Sequence, residues 1–135
     1  MPYSINAITT SQKNAFITIK ATNIPFGVNS KNNEDLASPA ELFLSSFSAC
    51  ILKNLERFST LLKFEYSHAE ISVNAIRNEK PPKLDEINYS LKIYSKDVSI
   101  NLKLLKKNIE KYGTIYNTVN SSCSITGEIN IIREC

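Results

Sequence analysis

The chain has 135 residues, 42% of them hydrophobic, with six Tyr, six Phe and only three Gly, which excludes a disordered or low-complexity protein and allows a substantial core. Sixteen Lys plus Arg against 13 Asp plus Glu leave a formal net charge of +3, too small and too dispersed to argue for a nucleic-acid partner. Three cysteines, Cys50, Cys123 and Cys135, form neither an even set nor a C-x-x-C pair, which argues against a disulfide framework and for a reducing cytoplasm.

The opening stretch MPYSINAITTSQKNAF lacks the basic start, continuous apolar run and small-residue cleavage site of a secretory signal. The longest apolar-rich run, 42–52, falls short of the roughly 20 residues that cross a bilayer, so no membrane segment is expected. Tyr3, Ile5 and Ala7, then Ile17 and Ile19, alternate with polar neighbours around TTSQKN, and this predicts a hairpin. The stretch NIPFGVNSKNNEDLA (23–37) gathers Pro, Gly, Asn and charge, and reads as a loop.

Ser38, Pro39 and Glu41 fit an N-cap, a first-turn proline and a capping box, so a helix is expected over 39–62. Its first half, LFLSSFSACIL, is apolar or small on nearly every face. Such a helix should be buried all round, by its own domain or by a partner subunit. Beyond it Ala69, Ile71, Val73 and Ala75 alternate with polar residues, as do Ile87, Tyr89, Leu91 and Ile93, which predicts two long antiparallel strands. Leu102, Leu105 and Ile109 fall at helical spacing in 100–112, with Gly113 placed to end that helix, and a last strand follows at 125–132. The order of elements gives an α+β fold in one domain, 1–135.

Cys50 carries the chemical interest. At about 100° per residue it shares a helix face with Phe43, Ser46 and Phe47 before it and with Lys53, Asn54 and Arg57 after it. Cations favour the reactive thiolate and apolar burial opposes it, so the spacing leaves two readings open, a packing residue and a reactive thiol. Cys123 in a polar turn and Cys135 at the end carry no expected role. His68, the only histidine, has no acidic or serine partner at a recognisable spacing, and with one histidine no metal site is expected. Gly113 and Gly127 are isolated, which excludes a phosphate-cradling loop, and the basic run KLLKKNIEK reads as the exposed face of a helix.

SPAELFLSSFSAC, the long helix, two strands, a second helix and then KYGTIYNTV before a final strand together resemble the OsmC/Ohr family, the osmotically inducible and organic hydroperoxide resistance proteins, over about residues 14–133. The resemblance implies an OsmC-like fold, with antiparallel sheets around a long buried central helix in an intertwined homodimer. It also implies a thiol-dependent peroxidase in which Cys50 is oxidised to a sulfenic acid. This chain is a divergent member on that pattern: the family's Cys-Pro pair, which supplies the second cysteine, aligns with Gly113 and Thr114. No arginine precedes Arg57, and the acid beside the proline aligns with Ala40, which leaves Glu41 one position late.

Two functions follow from the resemblance. One is a hydroperoxide reductase working through Cys50 alone with an external thiol reductant, supported by Lys53, Arg57 and Glu41. The other is a catalytically degenerate dimer that binds a small apolar ligand at an interface cleft lined by Phe43, Phe47 and Tyr116. Neither needs a cofactor.

Overall fold

Short alternating runs separated by tight turns build the first part of the molecule. The computed structural model describes residues 2–29, 31 and 34–135 and divides into two compact units, Met1–Phe43 and Leu44–Cys135. In the first unit β1 (Asn6–Thr10), β2 (Asn14–Ile19) and β3 (Thr22–Pro25) form an antiparallel sheet in that order. The expected hairpin is β1–β2, with Ala7 opposite Ile17 and Thr10 opposite Asn14.

The third strand lies partly inside the stretch expected to be a loop. Its turn, Lys20-Ala21, carries none of the usual Gly, Pro, Asn or Asp signals, because Lys20 itself takes the left-handed conformation at φ 53°. Beyond β3 the chain is tied back by Phe26 N–H donating to Ala15 O (3.2 Å) and Gly27 N–H donating to Ala37 O (2.9 Å). Ser30, Asn32 and Asn33 of that stretch lie outside the described residues.

The long helix, α1 (Pro39–Leu61), begins where the sequence sets it. Ser38 Oγ accepts from Glu41 N–H at 3.2 Å while Glu41 Oε1 accepts from Ser38 N–H at 2.9 Å, a reciprocal capping box. The same backbone hydrogen bond holds the Glu41 carboxyl below its ordinary pKa, since it favours the charged form.

In the second unit β4 (His68–Glu79) and β5 (Pro82–Ser95) pair antiparallel. Ala69 faces Ile93, Ile71 faces Leu91, Val73 faces Tyr89 and Ala75 faces Ile87, so the two alternating patterns merge into one apolar face. The chain continues through α2 (Leu102–Tyr112), capped by Asn101 Oδ1 accepting from Leu104 N–H at 3.1 Å, and α3 (Thr114–Asn120) to β6 (Ser124–Arg133). The sequence pattern does not show α3, which at seven residues spans too few turns to display a period.

Strand β6 corrects the all-antiparallel expectation: it runs parallel to β5, with Ile87 beside Ile125 and Leu91 beside Ile129. Two helices intervene between β5 and β6, and this helical crossover carries the chain from the Ser95 end of β5 back to the opposite end of the sheet, where Ser124 pairs with Glu86.

The core forms where one stripe of α1 meets this apolar face. Phe47, Ile51, Leu55 and Phe58, at i, i+4, i+8 and i+11, are buried together with Ile87, Leu91 and Ile93 of β5 and with Leu105 and Ile109 of α2. Burial of each such side chain contributes about 1.5–3 kcal/mol. The opposite face of α1, with Ser46, Ala49 and Lys53, stays exposed. All-round burial of the helix is therefore not achieved within the chain, because only one stripe meets the core elements.

Candidate functional site

Cys50 is half-buried on α1, one turn after Phe47 and one turn before Asn54. Its sulfur lies against the junction of α2 and α3. That junction is Gly113, whose extended backbone (φ −82°, ψ 117°) stops one helix and starts the next. A side chain grown from Gly113 would place its Cβ 3.1 Å from Cys50 Sγ, 3.1 Å from Asn54 Nδ2 and 3.0 Å from Tyr116 Cβ. A side chain there would need its neighbours to give by only a few tenths of an ångström, so the backbone at Gly113 packs closely on the thiol. Asn54, itself buried, donates from Nδ2 to Ile109 O (3.4 Å), which links α1 to the last turn of α2 beside the sulfur.

Beneath this junction sits an aromatic and acidic cluster. The Phe47 ring stacks on Tyr116 (centroids 5.9 Å apart, 27° between planes) and tilts against Tyr89 at 6.0 Å. Tyr89 Oη donates to Glu110 Oε2 at 2.6 Å, and Lys106 Nζ lies 2.9 Å from the same oxygen. Burial, and then the neighbouring Glu110 carboxylate, push the Tyr116 phenol up to about 12 and raise Tyr89 as well. Both phenols remain protonated donors through the neutral range.

A cationic rim runs along the outer side. The Arg57 guanidinium lies 5.3 Å from the Phe58 ring centroid and 5.9 Å from that of Tyr112, while Lys111 Nζ lies 5.3 Å from the Tyr112 centroid. Lys53 is exposed one turn after Cys50.

The site residues read from the sequence thus separate. Cys50 and Lys53 are neighbours on α1, and Arg57 follows about 10 Å further along the axis, over the two rings. Glu41 belongs to the first unit, where its carboxylate serves the helix cap. Phe47 and Tyr116 are buried in the core and packed on each other, and Phe43 is 41% exposed. Cys123 donates its thiol to Leu84 O at 3.3 Å, and Cys135 is exposed.

His68 has a serine beside it after all. Ser67 Oγ is 3.0 Å from Nδ1 and donates to Glu134 Oε1 at 2.7 Å, while the imidazole stacks on Tyr94. The acid contacts the serine rather than the imidazole, so the ring is held by Ser67 and Tyr94 and, among the described residues, lacks the carboxylate partner of a catalytic base. No group of three or more metal-ligating side chains occurs among the described residues.

Asn54 and Tyr112 are the site residues that sequence reasoning passed over as chemistry. Asn54 had a signal, its i+4 spacing from Cys50. Tyr112 had only its place next to Gly113.

The model of a protein family described as OsmC-like protein matches residues 32–128. This chain belongs to the OsmC-like family. An OsmC-like protein of Mycoplasma pneumoniae has a structure similar to it at a TM-score of 0.86 with 18% identity, covering 98% of each chain. An organic hydroperoxide resistance protein of Elizabethkingia anophelis is similar at a TM-score of 0.68 with 16% identity, over 98% of this chain and 99% of that one. OhrB of Bacillus subtilis is similar at 0.64 with 14% identity, over 95% and 98%. No curated protein matches the sequence significantly.

These likenesses show an OsmC-like fold. Within it Gly113, where the resemblance puts the family's second cysteine, stands directly against Cys50. Among the described residues no helix is long and apolar enough to cross a membrane.

Proposed function

We propose that this OsmC-like protein is a one-cysteine, thiol-dependent reductase of organic hydroperoxides, working as a homodimer in the cytoplasm. The observation that carries the reading is the position of the Cys50 sulfur against Gly113: the thiol that the resemblance makes the reactive one faces a residue with no sulfur to resolve it. Cys123 is committed to Leu84 O instead. The substrate class is supported by the organic hydroperoxide resistance proteins among the structural relatives.

In the reductase cycle the Cys50 thiolate attacks one peroxide oxygen, the O–O bond breaks, an alcohol leaves, and Cys50 becomes a sulfenic acid. An external thiol then attacks the sulfenic sulfur and water leaves, giving a mixed disulfide. A second thiol attacks that disulfide, is itself oxidised, and restores Cys50. Lys53, exposed, follows Cys50 by one turn on the same helix.

The homodimer is supported by Tyr3, Ile5 and Ile8, large apolar residues of the first unit that the single chain leaves well exposed. The apolar-ligand reading has less to stand on, since two of its three lining residues fill the core.

Consumption of an alkyl hydroperoxide with a small monothiol tests the proposal: turnover should be abolished in Cys50→Ser, and equal turnover in that variant would overturn it. Resolution gives a sharper test. In a disulfide, with its S–S bond of about 2.05 Å, each Cβ sits about 3 Å from the partner sulfur. The 3.1 Å at Gly113 already meets this. Peroxide-treated Gly113→Cys should therefore cross-link Cys50 to the introduced thiol within one chain, as read by peptide mapping. Persistent sulfenic acid at Cys50 in that variant would contradict the geometry.

A further inference from the structure

Among the described residues the cationic rim beside Cys50 forms no ion pair. Arg57 and Lys111 converge on one ring, that of Tyr112, which is itself 48% exposed. Aromatic rings attract cations but carry no formal charge, so the rim keeps its positive charge. The neighbouring carboxylates have other partners: Glu110 takes Tyr89 and its charge is offset by Lys106, while Glu56 accepts the Tyr66 hydroxyl and keeps its own single charge. Neither Arg57 nor Lys111 forms an ion pair among the described residues. Lys53 and Lys107 add exposed positive charge on the same two helices.

This rim adjoins the thiol. Tyr112 is bonded to Gly113, whose added Cβ would lie 3.1 Å from Cys50 Sγ, while Arg57 stands about 10 Å along α1 from Cys50. A peptide extends about 3.3–3.6 Å per residue, so a di- or tripeptide thiol with its sulfur at Cys50 reaches the rim with a terminal carboxylate. We infer that Arg57, Lys111 and Tyr112 form an anion-binding subsite for the acidic end of a small peptide thiol, the class of reductant that would regenerate Cys50. The planar guanidinium accepts a carboxylate in a fork, and the half-exposed ring supports the peptide between. This role as reductant site rests on the reductase reading, but the subsite itself can be measured without peroxide.

Thiol–disulfide exchange supplies that measurement. The Cys50 thiolate attacks one sulfur of a probe disulfide, the probe's S–S bond breaks, a new S–S bond joins Cys50 to one half, and the other half departs as a thiolate. Oxidised glutathione serves as the anionic probe, 2-hydroxyethyl disulfide as the neutral one and cystamine as the cationic one. Labelling is read by peptide mapping at Cys50, and exposed Cys135 in the same molecule, beside Glu134, shows how the probes react where the nearby charge is negative, so that the double variant isolates the rim's share.

At low salt the anionic probe should be preferred over the neutral one about five- to tenfold more at Cys50 than at Cys135, a few-fold for each exposed cation. The preference should decline as ionic strength rises past about 0.15 M, where screening reaches within about 8 Å. It should fall to about twofold or less in the Arg57→Gln/Lys111→Gln double variant, whose thermal melt reports that the fold is kept.

Equal preference at the two cysteines, an unchanged preference in the double variant, or a Cys50 inert to all three probes would overturn the subsite. A chain that shows the preference yet consumes no hydroperoxide would keep the subsite and lose the reductase. Turnover with neutral thiols but no anionic preference would do the reverse.

Discussion

In the sheet β4–β5–β6 the apolar residues of the central strand, Ile87, Tyr89, Leu91 and Ile93, are all buried, whereas in the sheet β1–β2–β3 Ile8 is 67% exposed and all five residues of β1 face solvent. Both sheets carry β-branched residues in alternation. The β4–β5–β6 sheet is covered by the Phe47/Ile51/Leu55 stripe of α1 and by Leu105 and Ile109 of α2, while the described residues of the first unit include no complete helix. Alternation therefore announces that a face is apolar, and the layer packed on it decides whether that face stabilises the fold or remains available for association.

Truncating the covered face should have the largest effect. Leu91→Ala removes a fully buried side chain and should cost about 3 kcal/mol in denaturant unfolding, within the range for such cavities. Ile8→Asp on the open face should leave the C-terminal core intact and shift the proposed dimer toward a monomer mass in sedimentation. A dimer mass unchanged by this charge would remove the N-terminal sheet from the association.

A smaller effect is expected at Gly127, which faces Tyr89 across the β5–β6 ladder. An added Cβ would lie 2.0 Å from the Tyr89 ring, so Gly127→Ala must displace that ring and strain its hydrogen bond to Glu110. The loss should be about 2 kcal/mol, on the scale of an overpacked core. A melting temperature equal to that of the parent would mean the ring moves freely and the sheet is less tightly covered than described.

The mildest perturbation is alkaline pH. Tyr116 and Tyr66 are raised to about 12 against an ordinary value near 10, and Tyr89 is raised in the same direction. The native state then holds protons that the unfolded state releases. The associated stability is intact below about pH 10 and lost as pH rises through about 12. Tyr89→Phe and Tyr116→Phe should each flatten this decline in the unfolding free energy between pH 10 and 12. An equally steep decline in both variants would place its origin outside the covered core.

Much of the architecture was legible from local signals. The capping box at Ser38 and Glu41, the alternation that pairs Val73 with Tyr89, and the Leu105/Ile109 stripe each depend on neighbours within a turn or a strand. The β3 turn escaped because its left-handed residue is a lysine, and α3 escaped because it is short. Of the site, the sequence offered Cys50 and the residues on its own helix face, since spacing on one helix is a local property. That Phe47 and Tyr116 stack on each other in the core was not legible, because an aromatic ring carries no mark of whether its neighbours will be solvent, ligand or core.

The sequence by itself determined where α1 starts, which faces of the longer helices and strands are apolar, and that one cysteine precedes two cations on the same face of a long helix. Those outcomes follow from backbone sterics, capping and hydrophobic period, all of short range. Only the tertiary structure decided that β6 runs parallel to β5, that Gly113 meets the sulfur of Cys50 from 63 positions away, and that Arg57 and Lys111 share the ring of Tyr112. These depend on how α1, α2 and the sheet pack against one another, and burial that is non-directional leaves no pairwise code along the chain.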